Sequence, residues 1–262
     1  MSVLRLTCRK KKSKTKDRGK FMLTIKHLTK HYKGSHKGVT DLNLEIAPGD
    51  IYGFIGHNGA GKTTTLKCVV GIHDFEEGEI YVNGASVRED LMQCKKSFAY
   101  IPDNPDLYEY LTGIQYLNFI SDIFEVSAKD REERIRKYAD AFEITSSLGD
   151  LISSYSHGMK QKLAIISALV HEPKLLILDE PFVGLDPKAA LILKKEMRQI
   201  CAKGGAIFFS THVLDVAEKL CNKIAIIKDG RLIASGEMKE LVRDGYSLEE
   251  MFMEVADHGK TD

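Results

Sequence analysis

The chain reads as an α/β protein with a parallel-sheet core, an antiparallel β patch in front of it and a helical insertion near residues 90–160. Three observations predict this architecture. The runs "KLLILD" (174–179), "AIFFS" (206–210) and "KIAII" (223–227) are almost continuously apolar, as parallel strands covered on both faces are. Helical patterns alternate with these runs after residue 158, the order expected of a layered α/β domain. A glycine-rich loop, "GHNGAGKT" (56–63), lies between a buried strand and a helix start, where backbone amides and a helix terminus together bind anions.

Taken in order, "MLTIKHL" and "VTDLNLEI" alternate apolar and polar residues, as half-buried strands do. Pro48-Gly49 marks a turn, and "IYGFI" (51–55) is a buried strand that runs into the glycine-rich loop. A helix begins near Lys62, and "EIYVNG" (79–84) closes the small β region. Residues 112–143 read as helical, with Ser127 and Asp130 as a helix start,. Gly204-Gly205 and Asp229-Gly230 mark turns,.

Composition narrows the function classes. With 262 residues, 43% apolar, the chain is long enough for a substantial core,. It holds no run of 18 apolar residues, so no spanning helix is expected, and no apolar stretch follows the early positive charge as a signal peptide requires. Five cysteines (Cys8, Cys68, Cys94, Cys201, Cys221) show no paired short spacing, which disfavours a disulfide framework or zinc site. Residues 1–20 carry nine basic residues and one acid. That segment is expected to be a disordered tail; contact with phosphates or anionic lipid, and a native start at Met22, are the other readings. The acidic remainder argues against nucleic acid as a partner.

"GHNGAGKT" matches GxxxxGKS/T at every fixed position,. Gly56, Gly59 and Gly61 let the backbone turn its N–H groups inward, with His57, Asn58 and Ala60 between them,. Lys62 is expected at the β- and γ-phosphates, Thr63 at Mg²⁺ and Thr64 at the α-phosphate,. "LLILDE" (175–180) delivers two acids at a strand end: Asp179 to hold Mg²⁺ through water, Glu180 to take a proton from the attacking water,. A guanine-specific NKxD element is missing, since Asn222-Lys223 is followed by Ile224 and Ala225. Tyr32 would stack on adenine or stand as a plain strand-edge aromatic,.

In this order, "GHNGAGKTT", "YSHGMKQ", "LLILDEP", "GLDP" and "STH" resemble the nucleotide-binding subunit of an ATP-binding cassette (ABC) transporter, over about residues 22–255. The resemblance implies a P-loop NTPase fold with antiparallel β and helical subdomains, ATPase activity, and ATP with Mg²⁺ as ligands. "YSHGM" (155–159) stands where the family has LSGGQ; Ser156 and Gly158 match. The resemblance implies that these two residues seal ATP on a second subunit's phosphate loop. Ser156 as an ordinary helix cap is compatible with that. Asp186 of "FVGLDP" is implied to cross the dimer interface, and His212 of "STH" to contact the γ-phosphate and lytic water. One position departs: "AYIPD" places Asp103 where the family has glutamine. An acid there either holds the metal through water or adds repulsion near the γ-phosphate. Tyr108, Tyr110 and Leu111 would form an apolar landing surface.

"GMKQK", "DEPFVGLDP" and "SLEEMFMEV" (247–255) are similar to bacterial exporter cassettes of the ABC-2 type, including the Ecs-like group. That resemblance implies an integral membrane permease as partner, a second ABC ATPase subunit of the same or another sequence, and a place on the cytoplasmic face of the cell membrane. The alternative is a soluble single-cassette ATPase acting on a nucleic-acid, ribosomal or iron–sulfur assembly complex. The domain reading is a basic extension over 1–21, an ABC ATPase domain over 22–243 and a C-terminal helix and tail over 244–262.

Overall fold

The computed structural model describes residues 20–32, 34, 37–242 and 247–258. The basic extension, up to residue 19, and the tail beyond 258 therefore fall outside the described residues. Strands β1 (Leu23–His31) and β2 (Gly38–Ile46) pair antiparallel, with Leu23 opposite Ile46 and Ile25 opposite Leu44. Their apolar residues are buried together, and register irregularities beside Leu28 keep Leu28 and Leu42 on the buried face where strict alternation is broken,. With β4 (Glu77–Val82) and β5 (Ala85–Ser86) they form a four-stranded sheet in the order β2-β1-β4-β5.

The second sheet has six strands. It contains β3 (Ile51–Ile55), β6 (Phe98–Ile101), β7 (Leu175–Asp179), β8 (Ala206–Thr211), β9 (Lys223–Lys228) and β10 (Arg231–Glu237), in the order β10-β9-β3-β8-β7-β6. Every pairing is parallel except β9 with β10. These two form a hairpin through Asp229-Gly230, whose φ angles of 48° and 75° suit the mirror-image turns that match strand twist.

The continuous apolar runs are explained by burial on both faces. Phe54, Ile177, Phe208 and Ala225 face the antiparallel sheet. Ile55, Leu178, Phe209 and Ile226 face the helices. Each fully buried Leu, Ile or Phe contributes about 1.5–3 kcal/mol, so the sheet is stabilised from two sides at once.

The helices are α1 (Lys62–Val69), α2 (Leu91–Lys95), α3 (Gly113–Ile123), α4 (Ala128–Ala141), α5 (His157–Val170), α6 (Pro187–Ala202), α7 (Leu214–Leu220), α8 (Met238–Leu241) and α9 (Leu248–His258). Ser127 caps α4 as expected, its Oγ accepting from Asp130 N at 3.2 Å. Thr112 and Gln115 form a reciprocal capping box on α3. Asp186 caps α6 with Pro187 in its first turn, the arrangement that supplies missing hydrogen bonds and a pre-set φ.

One boundary differs from expectation. The helical insertion expected near 90–160 is narrower, because Phe98–Ile101 pairs with β7 at the edge of the main sheet. Four residues are too few to show a strand period between helical segments. The helical part therefore begins after β6 and leads into α5. Cys68, Cys94 and Cys221 are buried thiols and Cys201 is half-buried. Burial pushes Cys68 up to about 12 and Cys201 up to about 11, far from thiolate reactivity at neutral pH.

The ends of α3 and α5 are joined by Phe124 stacked on His171, centroids 3.7 Å apart and planes at 4°. Burial, with Arg134 nearby acting in the same direction, lowers the His171 pKa from 6.5 to about 4. In the window from about 6.5 down to about 4 the unfolded chain binds a proton here that the folded chain does not. This contribution to stability is therefore present above about pH 6.5 and is lost as pH falls towards 4, by at most about 3 kcal/mol. Urea unfolding at about pH 7.5 and about pH 5 is expected to show a smaller acid loss in His171→Phe than in wild type.

Candidate active site

Parallel register creates the site. Ile55 at the end of β3 is level with Thr211 of β8, and Asp179 at the end of β7 is level with Ser210. The three strands therefore release their following residues at one carboxyl edge, where open α/β sheets bind ligands.

From β3 comes the glycine-rich loop. Gly59 and Gly61 adopt φ of 83° and 112°, left-handed conformations in which a side chain would be strained. A Cβ at Gly61 would also lie 2.8 Å from Val39 Cγ1. The loop leads into α1 with no side chain capping that helix and no acid in its first turn. Its terminal N–H groups and partial positive charge thus remain unneutralised by side chains. Lys62 is buried, 6% exposed, and its Nζ donates to Gly56 O at 2.6 Å and His57 O at 3.2 Å. Among the described residues, Ala60 N also donates to His57 O, at 3.1 Å. Tyr32 stands just past β1 with its hydroxyl 3.3 Å from Thr64 Oγ1.

β7 and β8 supply the acids. Thr63 Oγ1 donates to Asp179 Oδ2 at 2.7 Å, and Ser210 Oγ donates to Asp179 Oδ1. Ser210 Oγ also accepts from Glu180 N at 3.1 Å. Glu180 has φ of 47°, unusual for a residue with a long side chain, and its carboxylate meets partners other than those of Asp179. Glu180 Oε1 is 3.4 Å from Lys62 Nζ and 3.0 Å from His212 Nδ1. Neither contact has hydrogen-bond geometry, so this buried oxygen has no hydrogen-bond partner among the described residues.

The other expected residues lie apart from this cluster. Ser156 caps α5, its Oγ accepting from Met159 N at 3.3 Å. Gly158 lies against the loop before α6: a Cβ there would be 3.2 Å from Gly184 O. Asp186 pairs with Lys162 Nζ at 2.6 Å, and that ammonium holds its carboxyl below the usual range. Tyr155, where the sequence departs from the family motif, is buried and donates from its hydroxyl to Ser147 O. Among the described residues, no hydrogen bond or ion pair joins 155–159 to the loop at 56–63. Asp103 is exposed and makes no hydrogen bond or ion pair among the described residues, in contrast to Thr63 and Asp179.

Residues 39–183 match the family model described as ABC transporter. The chain is 34% identical over 239 residues to the ABC-type transporter ATP-binding protein EcsA of Bacillus subtilis (strain 168), covering 89% of this chain and 96% of that one. The chain belongs to the ABC transporter ATP-binding family. A solved structure of an ATP binding subunit of an ABC transporter superposes with a TM-score of 0.86 at 35% identity, covering 90% of this chain and 99% of the other. A further relative, the Nod factor export ATP-binding protein I of Cupriavidus metallidurans, is 32% identical and covers 84% of this chain and 73% of its own. This ABC protein is therefore an ATPase subunit of the transporter type rather than a cassette serving nucleic acid, ribosomes or iron–sulfur assembly.

Two residues of this ABC site were not singled out from the sequence. Ser210 lies in the quoted "STH" but carries no motif of its own; its role comes from the strand register. Tyr100 on β6 has a buried hydroxyl without a hydrogen-bond partner among the described residues. Burial raises its pKa, with Asp179 and then Asp103 acting in the same direction. The variant Ser210→Ala removes a hydroxyl that serves Asp179 and Glu180 together. It is expected to lose about 1–3 kcal/mol in urea unfolding and to lower kcat in steady-state ATPase assays.

Proposed function

We propose that this chain is the ATP-hydrolysing subunit of an exporter-type transporter, which pairs with a second cassette around ATP and drives a separate membrane-spanning permease. The observation that carries the reading is the single Glu180 oxygen faced by Lys62 at 3.4 Å and His212 at 3.0 Å, next to the Thr63–Asp179 pair. An acid, a cation and an imidazole thus meet where a phosphate loop ends.

In this reading Gly56, His57, Asn58, Gly59, Ala60 and Gly61 present backbone N–H groups to the phosphates, and Lys62 exchanges its loop carbonyls for the β- and γ-phosphates. Thr64 is close to the α-phosphate and Tyr32 to the base. Glu180 accepts the proton as the water oxygen bonds to the γ-phosphorus and the bond to ADP breaks. His212 orients that water and the carboxylate. Ser156 and Gly158 of one chain, at the amino end of α5, close on the γ-phosphate held by the other, and Asp186 approaches the same interface.

The residues fit Mg²⁺. The hydroxyl of Thr63 and the carboxylate of Asp179 meet at 2.7 Å, an oxygen-only donor set of the kind hard cations use. Among the described residues no cluster of three or more His, Cys, Asp or Glu forms a protein cage, and Mg²⁺ held by one carboxylate and substrate phosphates needs none. When bound, the ion supplies charge neutralisation at the phosphate oxygens. Asp103, exposed and unpaired among the described residues, is assigned to the moving loop after β6 rather than to the metal.

No described helix is long and apolar enough to cross a membrane, so the transport path is assigned to the permease, with this subunit at the cytoplasmic face. A cleft of about 560 Å³ lined by Ile72, Met92, Tyr100, Tyr116 and Ile123 is the proposed docking place. Exposed Tyr108, Tyr110 and Phe119 extend it; Leu111 packs against the core instead. Similarity to EcsA supports the transporter assignment, and similarity to a Nod factor export protein supports export.

The variant Glu180→Gln is expected to bind ATP while turnover falls about 10²-fold or more, and to sediment as a pair when ATP and the natural mate are present. Lys62→Ala is expected to lose ATP binding. Wild-type turnover in Glu180→Gln would remove Glu180 from its assigned role.

A further inference from the structure

The C-terminal helix reaches the phosphate loop. α9 (Leu248–His258) opens with Ser247, whose Oγ accepts from Glu250 N at 3.2 Å while Glu250 Oε2 accepts from Ser247 N at 2.7 Å, a reciprocal cap that fixes the first turn. Leu248 is fully buried and Phe252 is 6% exposed, both in the helix-side core. Met253, one residue on, is 57% exposed. The helix is thus docked by the face that carries Leu248 and Phe252, and Phe252 lies against His57. Their ring centroids are 5.0 Å apart with planes at 70°, the edge-on geometry that aromatic pairs favour.

His57 is no bystander in the loop. Its carbonyl oxygen accepts from Lys62 Nζ at 3.2 Å and from Ala60 N at 3.1 Å. Its neighbours Asn58 and Gly59 are exposed, and Gly59 and Gly61 sit in left-handed conformations that glycine leaves as easily as it adopts. A loop of this composition loses much conformational entropy when it closes on an anion. A side chain fixed from outside lowers that cost by ordering the loop beforehand. Among the described residues, the Phe252 ring is the aromatic contact of His57. It belongs to a helix that lies beyond the residues 39–183 matched by the family model.

We propose that Phe252 is a positioning residue for ATP: through the His57 ring it holds the His57 carbonyl, and with it the bonded Ala60 N–H and the crown of the phosphate loop, in the nucleotide-ready conformation. The inference rests on the reading of residues 56–63 as the ATP site and adds the C-terminal helix to that site's frame.

The test uses the full chain, with ATP and Mg²⁺ titrated calorimetrically and steady-state ATPase measured alongside. Phe252→Leu keeps the burial and removes the ring; it is expected to melt near wild type, to raise the Kd for ATP about fivefold and to leave kcat within about twofold. Phe252→Tyr restores the ring and is expected within about twofold of wild type. His57→Ala is expected to raise the Kd for ATP as Phe252→Leu does, and the double variant to be no weaker in Kd than either alone, because both remove one contact. A folded Phe252→Leu with wild-type Kd overturns the proposal, as do additive effects in the double variant. Tighter binding also overturns it, since the helix would then restrain the loop against nucleotide. Lys62→Ala separates the two levels: loss of ATP binding there with normal binding in Phe252→Leu sinks this inference alone, whereas normal binding in Lys62→Ala sinks the site reading and this inference with it.

Discussion

Everything at the active site hangs on the parallel pairing of β3, β8 and β7. Their register sets Ile55 level with Thr211 and Asp179 level with Ser210, so three loops from distant parts of the chain begin side by side. A slip of one residue in either ladder would reverse every side chain on that strand. It would turn Asp179 from Thr63 and Ser210. The register is protected by burial on both faces: Phe208 and Phe209, adjacent in sequence, enter opposite cores. Moving either into the other's place would disrupt both layers of packing.

The same edge concentrates charge that the rest of the fold must tolerate. Asp179 is 2% exposed, and a buried carboxylate is costly unless its oxygens are bonded. Thr63 and Ser210 each donate to one of them. Glu180 is handled differently. Its backbone N–H is tied to Ser210, its φ is positive, and its Oε1 meets an ammonium and an imidazole without a hydrogen bond. The first acid is held still and the second is left with acceptor capacity. That division suits one acid to structural support of a cation and the other to taking a proton.

Around this centre the remaining elements act as frame and handle. The helical part between β6 and α5 is tied to the sheet by α5, whose core-facing residues are deeply buried, and the ends of α3 and α5 are joined by the Phe124–His171 stack. The signature residues lie at the amino end of α5, packed beside the loop at Gly184 and joined by Lys162 to Asp186. The elements assigned to the dimer interface are therefore mechanically connected within one chain. Towards the other end of the sequence, α9 closes on His57, so the C-terminal helix contacts the phosphate loop.

Local chemistry was legible in the order of the residues. "GHNGAGKT" has meaning by itself, because glycine conformations and a helix start are local properties. So were the strands at 174–179, 206–210 and 223–227, the Ser127 cap and the Asp-Gly hairpin, since apolar runs and turn chemistry act over a few residues. Short β6 escaped notice because four residues carry no readable period. Ser210 and Phe252 escaped because their partners are remote in the chain: Asp179 for Ser210, His57 for Phe252. The amino-acid sequence by itself determined which groups are available and the local backbone that presents them. Only the tertiary structure decided which of them meet, because meeting depends on strand register and helix docking, and both are set by packing across the whole core rather than by neighbours along the chain.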